Sequence, residues 1–162
     1  MRFLLAAVLS ITLLPSPTDL TPPIKGLRLA DLHDTFDETH NGHRHEAIDI
    51  MEPRGTPVRA VAPGTICRLF LSKPGGNTIY EFDEPGVYCY YYAHLDRYAD
   101  GVHEGMPVAR GDVIGFVGST GDASPLAPHL HFAIFQLGPE RQWWKGTAVN
   151  PYPALAAAVK RK

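Results

Sequence analysis

Glycine and proline cut this sequence into short apolar runs about every ten residues, and that punctuation limits the fold more than any other feature. Turn signals stand at Arg54-Gly55, Pro63-Gly64, Pro74-Gly75-Gly76-Asn77, Glu84-Pro85-Gly86 and Gly111-Asp112. Glycine reaches backbone angles closed to other residues and proline presets its own, so each pair turns the chain. The runs between them (46–51, 56–61, 64–71, 78–82, 87–94, 113–117 and the one opening at 129) are rich in β-branched and aromatic residues. They are too short for ordinary helices and suit strands. The Ala-rich stretch after Ala154, which ends in Lys160, Arg161 and Lys162, reads as a short helical basic tail over 154–162. The expected fold is mainly β, an antiparallel sheet or sandwich.

At 162 residues the chain has room for one domain with a proper core. Its formal net charge is −2 and no basic stripe stands out, which argues against a nucleic-acid partner. Arg2 followed by the apolar stretch 3–14 and Pro15-Ser16-Pro17 reads as a secretory signal or short anchor over 1–17. It is too short to span a bilayer comfortably. Residues 18–32 read as a linker and entry segment, and 33–153 as the domain proper. The mature chain is expected to be exported, periplasmic or extracellular, with no transmembrane span, and to act as a monomer. An uncleaved leader would anchor it to the membrane. Cys67 and Cys89 fall in different strands with the 78–82 run between them, so the expectation is two free, buried thiols.

Three places carry side chains suited to chemistry. The first is Pro128-His129-Leu130-His131-Phe132. In a strand, residues two apart share a face, so both imidazoles would look into one space. With 8 His in the chain, a chance pair of this spacing is expected roughly 0.4 times, so the pair needs company. The second is His45-Glu46-Ala47-Ile48-Asp49, and His33-Asp34-Thr35-Phe36-Asp37 repeats its spacing. On a regular strand the two ends would lie about 13 Å apart, so His45 and Asp49 can share an ion only if His45 sits in a bend. The apolar run after Asp49 favours the second copy. The third is His94, in Tyr92-Ala93-His94-Leu95 at the end of an aromatic run. Taken alone, it is better read as a core histidine bonded to backbone.

Taken in order, His45-x-x-x-Asp49, Tyr92-x-His94-Leu95 and His129-x-His131 resemble the signature of lysostaphin/LytM-type zinc metallopeptidases. The intervening text agrees at Gly55-Thr56-Pro57-Val58, Ala62-Pro63-Gly64, Gly111-Asp112-Val113-Ile114-Gly115, Gly118-Ser119-Thr120-Gly121 and Asn150-Pro151. The resemblance covers residues 33–153. One departure is Ala47, where the family usually has glycine, and it would strain the backbone if a positive φ were needed there.

The resemblance implies a LytM-type β fold and one zinc held by His45, Asp49 and His131. Under it, His94 and His129 stay off the metal and handle protons, in an order the sequence leaves open. The implied activity is hydrolysis of peptide bonds in peptidoglycan, in stem peptides or cross-links. Asn77 and Tyr92, with the Tyr90/Tyr92 face, are expected to line the groove, walled by loops 118–128 and 33–44. A non-catalytic relative that binds the wall or activates amidases would share the fold, but all five positions are filled here. A biotin- or lipoate-type carrier would need a lysine in a hairpin turn, and Lys73 has no such context. A β domain with incidental histidines does not account for three motifs in family order.

Overall fold

The computed structural model describes residues 17–40 and 42–161. The leader expected over 1–17 lies outside them but for its last residue. A 3₁₀ turn at Leu29–Asp31 leads into β1 (Thr39–His40), β2 (His43–Arg44), β3 (Ile48–Met51) and β4 (Pro57–Arg59). There follow β5 (Gly64–Ser72), β6 (Gly76–Asp83), β7 (Tyr88–Tyr98), β8 (Pro107–Val108), β9 (Val113–Val117), β10 (His129–Leu137), β11 (Gly146–Val149) and α1 (Tyr152–Lys160).

The turn signals fall between these strands as the sequence leads one to expect. Strands β1 and β2 form a small ribbon, and the others form a nine-stranded sheet with the path β11-β10-β7-β6-β5-β8. Strand β3 joins it on β10, and β9 joins on both β4 and β7. All of the pairings are antiparallel. Strand β10 is the hinge of the arrangement. One edge pairs with β7, while the other takes β3 along residues 129–132 and β11 along residues 134–137.

One face of this sheet is the core. Ile48, Ile50, Ile79, Tyr92, Leu130, Phe132 and Ile134 are fully buried on it. Leu155 of α1 joins the same cluster, so the short tail helix is docked by its Ala and Leu side chains. Residues 18–32 are not a free linker. Leu20, Ile24, Leu27 and Leu32 enter the core cluster. Backbone bonds run from the Thr21 amide to the Val61 carbonyl and from the Arg59 amide to the Pro23 carbonyl, each 2.8 Å. Burying four large apolar side chains is worth several kcal/mol, which a polar, Pro-rich spacer would not supply. Both cysteines are free, and β6 lies between their strands as expected. Cys89 is buried and Cys67 only half-buried.

Candidate metal centre and active-site cleft

The opposite face of the sheet carries the polar chemistry, and register explains how. Along β10, His131 stands opposite Asp49 of β3 on one side and Ala93 of β7 on the other. His129 lies two residues away and projects from the same face, as its spacing predicts. Both rings line one cavity of about 370 Å³, together with His45, Asp49, His94 and Tyr91.

His45 reaches this place through a bend. Glu46, the next residue, has φ of 55°, in the left-handed region that few side chains adopt. The bend brings the His45 ring back over Asp49, as sharing an ion requires. Ala47 is not at a positive φ, so the residue that replaces the family's glycine sits in ordinary backbone. The competing pair, His33 and Asp37, is exposed, and Asp37 pairs with Arg44.

Three ligand-type atoms meet at one point. His45 Nε2 lies 3.1 Å from His131 Nδ1 and 3.2 Å from Asp49 Oδ1, while His131 Nδ1 lies 3.1 Å from Asp49 Oδ1. This triangle is nearly equilateral. Around a tetrahedral ion with bonds of ~2.0 Å, ligand atoms stand about 3.3 Å apart. The proton inventory points the same way. His45 Nδ1 is 3.1 Å from the Thr35 carbonyl and donates its hydrogen there, so Nε2 of the neutral ring offers only a lone pair. The His45 lone pair and the Asp49 carboxylate repel each other unless a cation or an added proton lies between them. The donor set, two nitrogens and one carboxylate oxygen, suits zinc.

The electrostatics fit this reading. Burial opposes ionisation of Asp49, but the His131 and His45 rings, which once protonated donate hydrogen bonds and bring positive charge, hold its carboxyl well below the usual carboxylate range. For His45, burial lowers basicity, and the Asp49 carboxylate outweighs it to raise the ring's pKa.

The other two histidines lie beside the triangle. Their rings are T-shaped to each other, with centroids 4.9 Å apart. His129 Nδ1 donates to the Ala127 carbonyl at 2.9 Å and His94 Nδ1 to the Thr120 carbonyl at 2.8 Å. Each backbone carbonyl thereby fixes a tautomer and leaves Nε2 free to accept a proton. Burial, and the charge of His131 and His129, push His94 below the usual imidazole range, although the Thr120 carbonyl opposes this.

His94 has φ of 58°. That left-handed residue interrupts the alternation of β7: Ala93 and His94 both line the cavity, whereas Tyr92 and Leu95 are fully buried in the core. A clamp holds the break. The His94 amide donates to the Gly75 carbonyl at 2.8 Å. Thr120 Oγ1 donates to the Leu95 carbonyl at 2.7 Å and accepts from the Asn77 amide at 3.0 Å.

Two expected groove residues lie elsewhere. Tyr92 points into the core, where its hydroxyl donates to Glu81 Oε2 at 2.6 Å and accepts from the Val61 amide at 3.1 Å. Tyr91 takes the groove position instead. Asn77 does not line the cavity; its carboxamide donates to the carbonyls of Leu95 and Asp96, both at 3.2 Å. The 118–128 loop does wall the cleft, through Asp122, Ala123 and Ser124, with Pro74 and Gly75 beside it, where the Asp122 amide donates to the Pro74 carbonyl at 3.0 Å. From the 33–44 loop the contribution is the Thr35 carbonyl behind His45. Thr35 was not singled out in the sequence, and its place before Phe36 carries no signal that would have found it.

The sequence profile of Peptidase family M23 matches residues 43–151, a span that includes every residue of this cleft. The chain is 36% identical over 119 residues to the glycyl-glycine endopeptidase ALE-1 of Staphylococcus capitis, covering 73% of this chain and 31% of that protein. It is 34% identical over 118 residues to the L-Ala–D-Glu endopeptidase of Bacillus subtilis strain 168, covering 70% and 35%. It thus spans about a third of the length of these curated relatives. Among solved structures, the catalytic domain of lysostaphin from Staphylococcus simulans superposes with a TM-score of 0.63 at 33% identity, over 77% of this chain and 92% of that one.

Proposed function

The chain belongs to peptidase family M23, and on that premise we propose that it is a zinc-dependent endopeptidase cleaving peptide bonds in peptidoglycan, in stem peptides or cross-links. The observation that carries this reading is the near-equilateral triangle of His45 Nε2, His131 Nδ1 and Asp49 Oδ1. Two further imidazoles open onto the same cleft. Relatives named as endopeptidases acting on glycyl-glycine and L-Ala–D-Glu bonds support the substrate class.

His45, His131 and Asp49 hold the ion. When bound, zinc supplies Lewis-acid polarisation at the reacting centre. The rest of the work falls to the chain's own groups. His129 and His94 present Nε2 lone pairs to the cleft. One accepts the proton of the attacking water, and the other, protonated, donates to the leaving amine. The Ala127 and Thr120 carbonyls keep these rings from turning. The 118–128 loop and Tyr91 narrow the cleft to an extended peptide. Peptidoglycan lies outside the cytoplasm, so the enzyme works as an exported protein, periplasmic or extracellular, with residues 1–17 as its signal and a single chain as the working unit.

The test is zinc content of the purified chain, with digestion of purified peptidoglycan in the presence and absence of a chelator. One zinc per chain and chelator-sensitive release of amino groups are expected. A folded chain with neither zinc nor cleavage would turn the assignment towards a wall-binding or amidase-activating relative.

A further inference from the structure

The site-bearing face of the sheet continues past the cleft into an aromatic surface that peptide hydrolysis does not use. Tyr91 lines the cleft and meets His131 edge-on, with centroids 5.9 Å apart. On its far side it packs against Tyr80 at 4.7 Å. Tyr80 in turn meets Trp143 at 4.7 Å, and Trp143 meets Trp144 at 5.4 Å. The 138–145 connection folds back over the sheet to place these two rings. Gly146 allows the close approach, because a Cβ there would stand 2.8 Å from Cβ of Phe135.

The two tryptophans differ. Trp143 is packed on, with Phe70 at 5.4 Å and the Arg68 guanidinium 5.7 Å from its ring. Trp144 is 63% exposed. A depression of about 110 Å³ opens among Tyr80, Phe135, Trp143, Trp144 and Gly146. None of the five carries a formal charge. Exposed aromatic area continuous with a cleft is suited to serve as a contact surface.

We propose that this surface is a saccharide subsite, which takes a pyranose ring of the glycan strand while the attached peptide enters the cleft. The proposal rests on the peptidoglycan reading above. A β-linked amino sugar presents a flat, weakly positive face of C–H bonds. Aromatic faces are weakly negative, and the two stack, leaving the sugar's hydroxyls and acetamido group at the wet rim. A stem peptide carries carboxylates and amines and would call for charged partners, which these walls lack. Arg68, whose guanidinium stands 5.7 Å from the Trp143 ring, is engaged with Glu104 at 3.4 Å. Glycan and peptide are covalently joined in the polymer. The unbroken row from His131 through Tyr91 and Tyr80 to Trp144 therefore lets one substrate occupy both places.

The chain contains two tryptophans, both here, so intrinsic fluorescence reports on this surface directly. The purified chain is titrated with soluble β-1,4-linked N-acetylglucosamine oligomers. A saturable change is expected. Binding should weaken at least about tenfold in Trp144→Ala and less in Trp144→Phe, because the remaining ring still stacks. His131→Ala, which tests the peptidase reading, should bind the oligomer as the parent does, so the two ideas fail separately. If circular dichroism shows Trp144→Ala misfolded, Trp144→Phe decides by its reduced affinity. The proposal is overturned by no saturable response to the oligomer, by equal affinity in the Trp144 variants, by loss of oligomer binding in His131→Ala, or by a sugar-free stem peptide producing the tryptophan response instead.

Discussion

Two carboxyl groups lie on opposite faces of one sheet, and the sheet treats them in opposite ways. Asp49 projects from β3 to the cleft face, where two imidazoles keep it ionised in spite of its burial. Glu81 projects from β6 into the core and is fully buried. There burial pushes its carboxyl up to about 8, and Asp83 adds to this. The hydrogen bond from Tyr92 opposes the rise. Glu81 Oε1 is among the buried atoms without a partner. The difference lies in what stands within 3–4 Å, not in burial as such. The cleft face gathers groups that need a cation, and the core face keeps Glu81 neutral.

The largest effect is expected from dismantling the proposed cation site. His131→Ala removes one corner of the triangle, and a neutral methyl cannot replace a nitrogen lone pair. Zinc content should fall to the level of the chelated protein and hydrolysis to background. Full zinc occupancy in this variant, measured by metal analysis on a folded sample, would show that the triangle is not the site.

His129→Ala probes the same face without touching the triangle. If His129 transfers protons as proposed, its loss should cost roughly 10²–10⁴ in rate and leave one zinc per chain. Zinc loss in that variant would move His129 into the ligand set. Its Nε2, 3.8 Å from Asp49 Oδ1, is the next nearest ring nitrogen.

On the core face, Glu81→Gln tests the neutral carboxyl. The native pKa of about 8 exceeds the unfolded value near 4.5, so between those limits the unfolded chain gives up a proton that the native chain keeps. The stabilising contribution is complete below pH ~4.5 and is lost as pH rises through ~8, at up to about 1.4 kcal/mol per pH unit. Urea midpoints across pH ~5–8 should therefore decline more steeply in the parent than in Glu81→Gln. Parallel curves would mean that Glu81 is ionised in the fold.

The antiparallel fold and the central histidine pair were legible because both follow from local rules. Turn residues cut the strands, and a two-residue period put His129 and His131 on one face. The His45–Asp49 pair was legible only as a condition, that the chain must bend, and Glu46 provides the bend. The groove tyrosine was not legible. Every position from Tyr88 to Tyr92 is apolar or aromatic, so the run carries no inside–outside alternation. Counting back by twos from His94 selects Tyr92 and Tyr90. The left-handed backbone at His94 reverses that count, and nothing in the sequence marks the reversal. The 18–32 segment reads as a linker and entry segment, Pro-rich and then mildly amphipathic, and which core its Leu20, Ile24, Leu27 and Leu32 would enter is set only in three dimensions.

The reversal is also where the two faces can be tested against each other with the smallest change. At His94 the strand hands one side chain from the core face to the cleft face. Asn77 secures that point, with its carboxamide bonded to the Leu95 and Asp96 carbonyls and its amide to Thr120 Oγ1. Thr120 also supplies the carbonyl that fixes the His94 tautomer. Asn77→Ala leaves all five cleft groups in place and removes only the two side-chain bonds. Each is worth about 1 kcal/mol net, so a loss of roughly 1–2 kcal/mol in stability is expected. If the clamp also sets the His94 ring, kcat should fall about tenfold, as a small misplacement of a catalytic group does, with zinc content unchanged. A variant that loses stability but keeps the parent kcat would show that the break at His94 holds itself and that Asn77 only braces the hairpin.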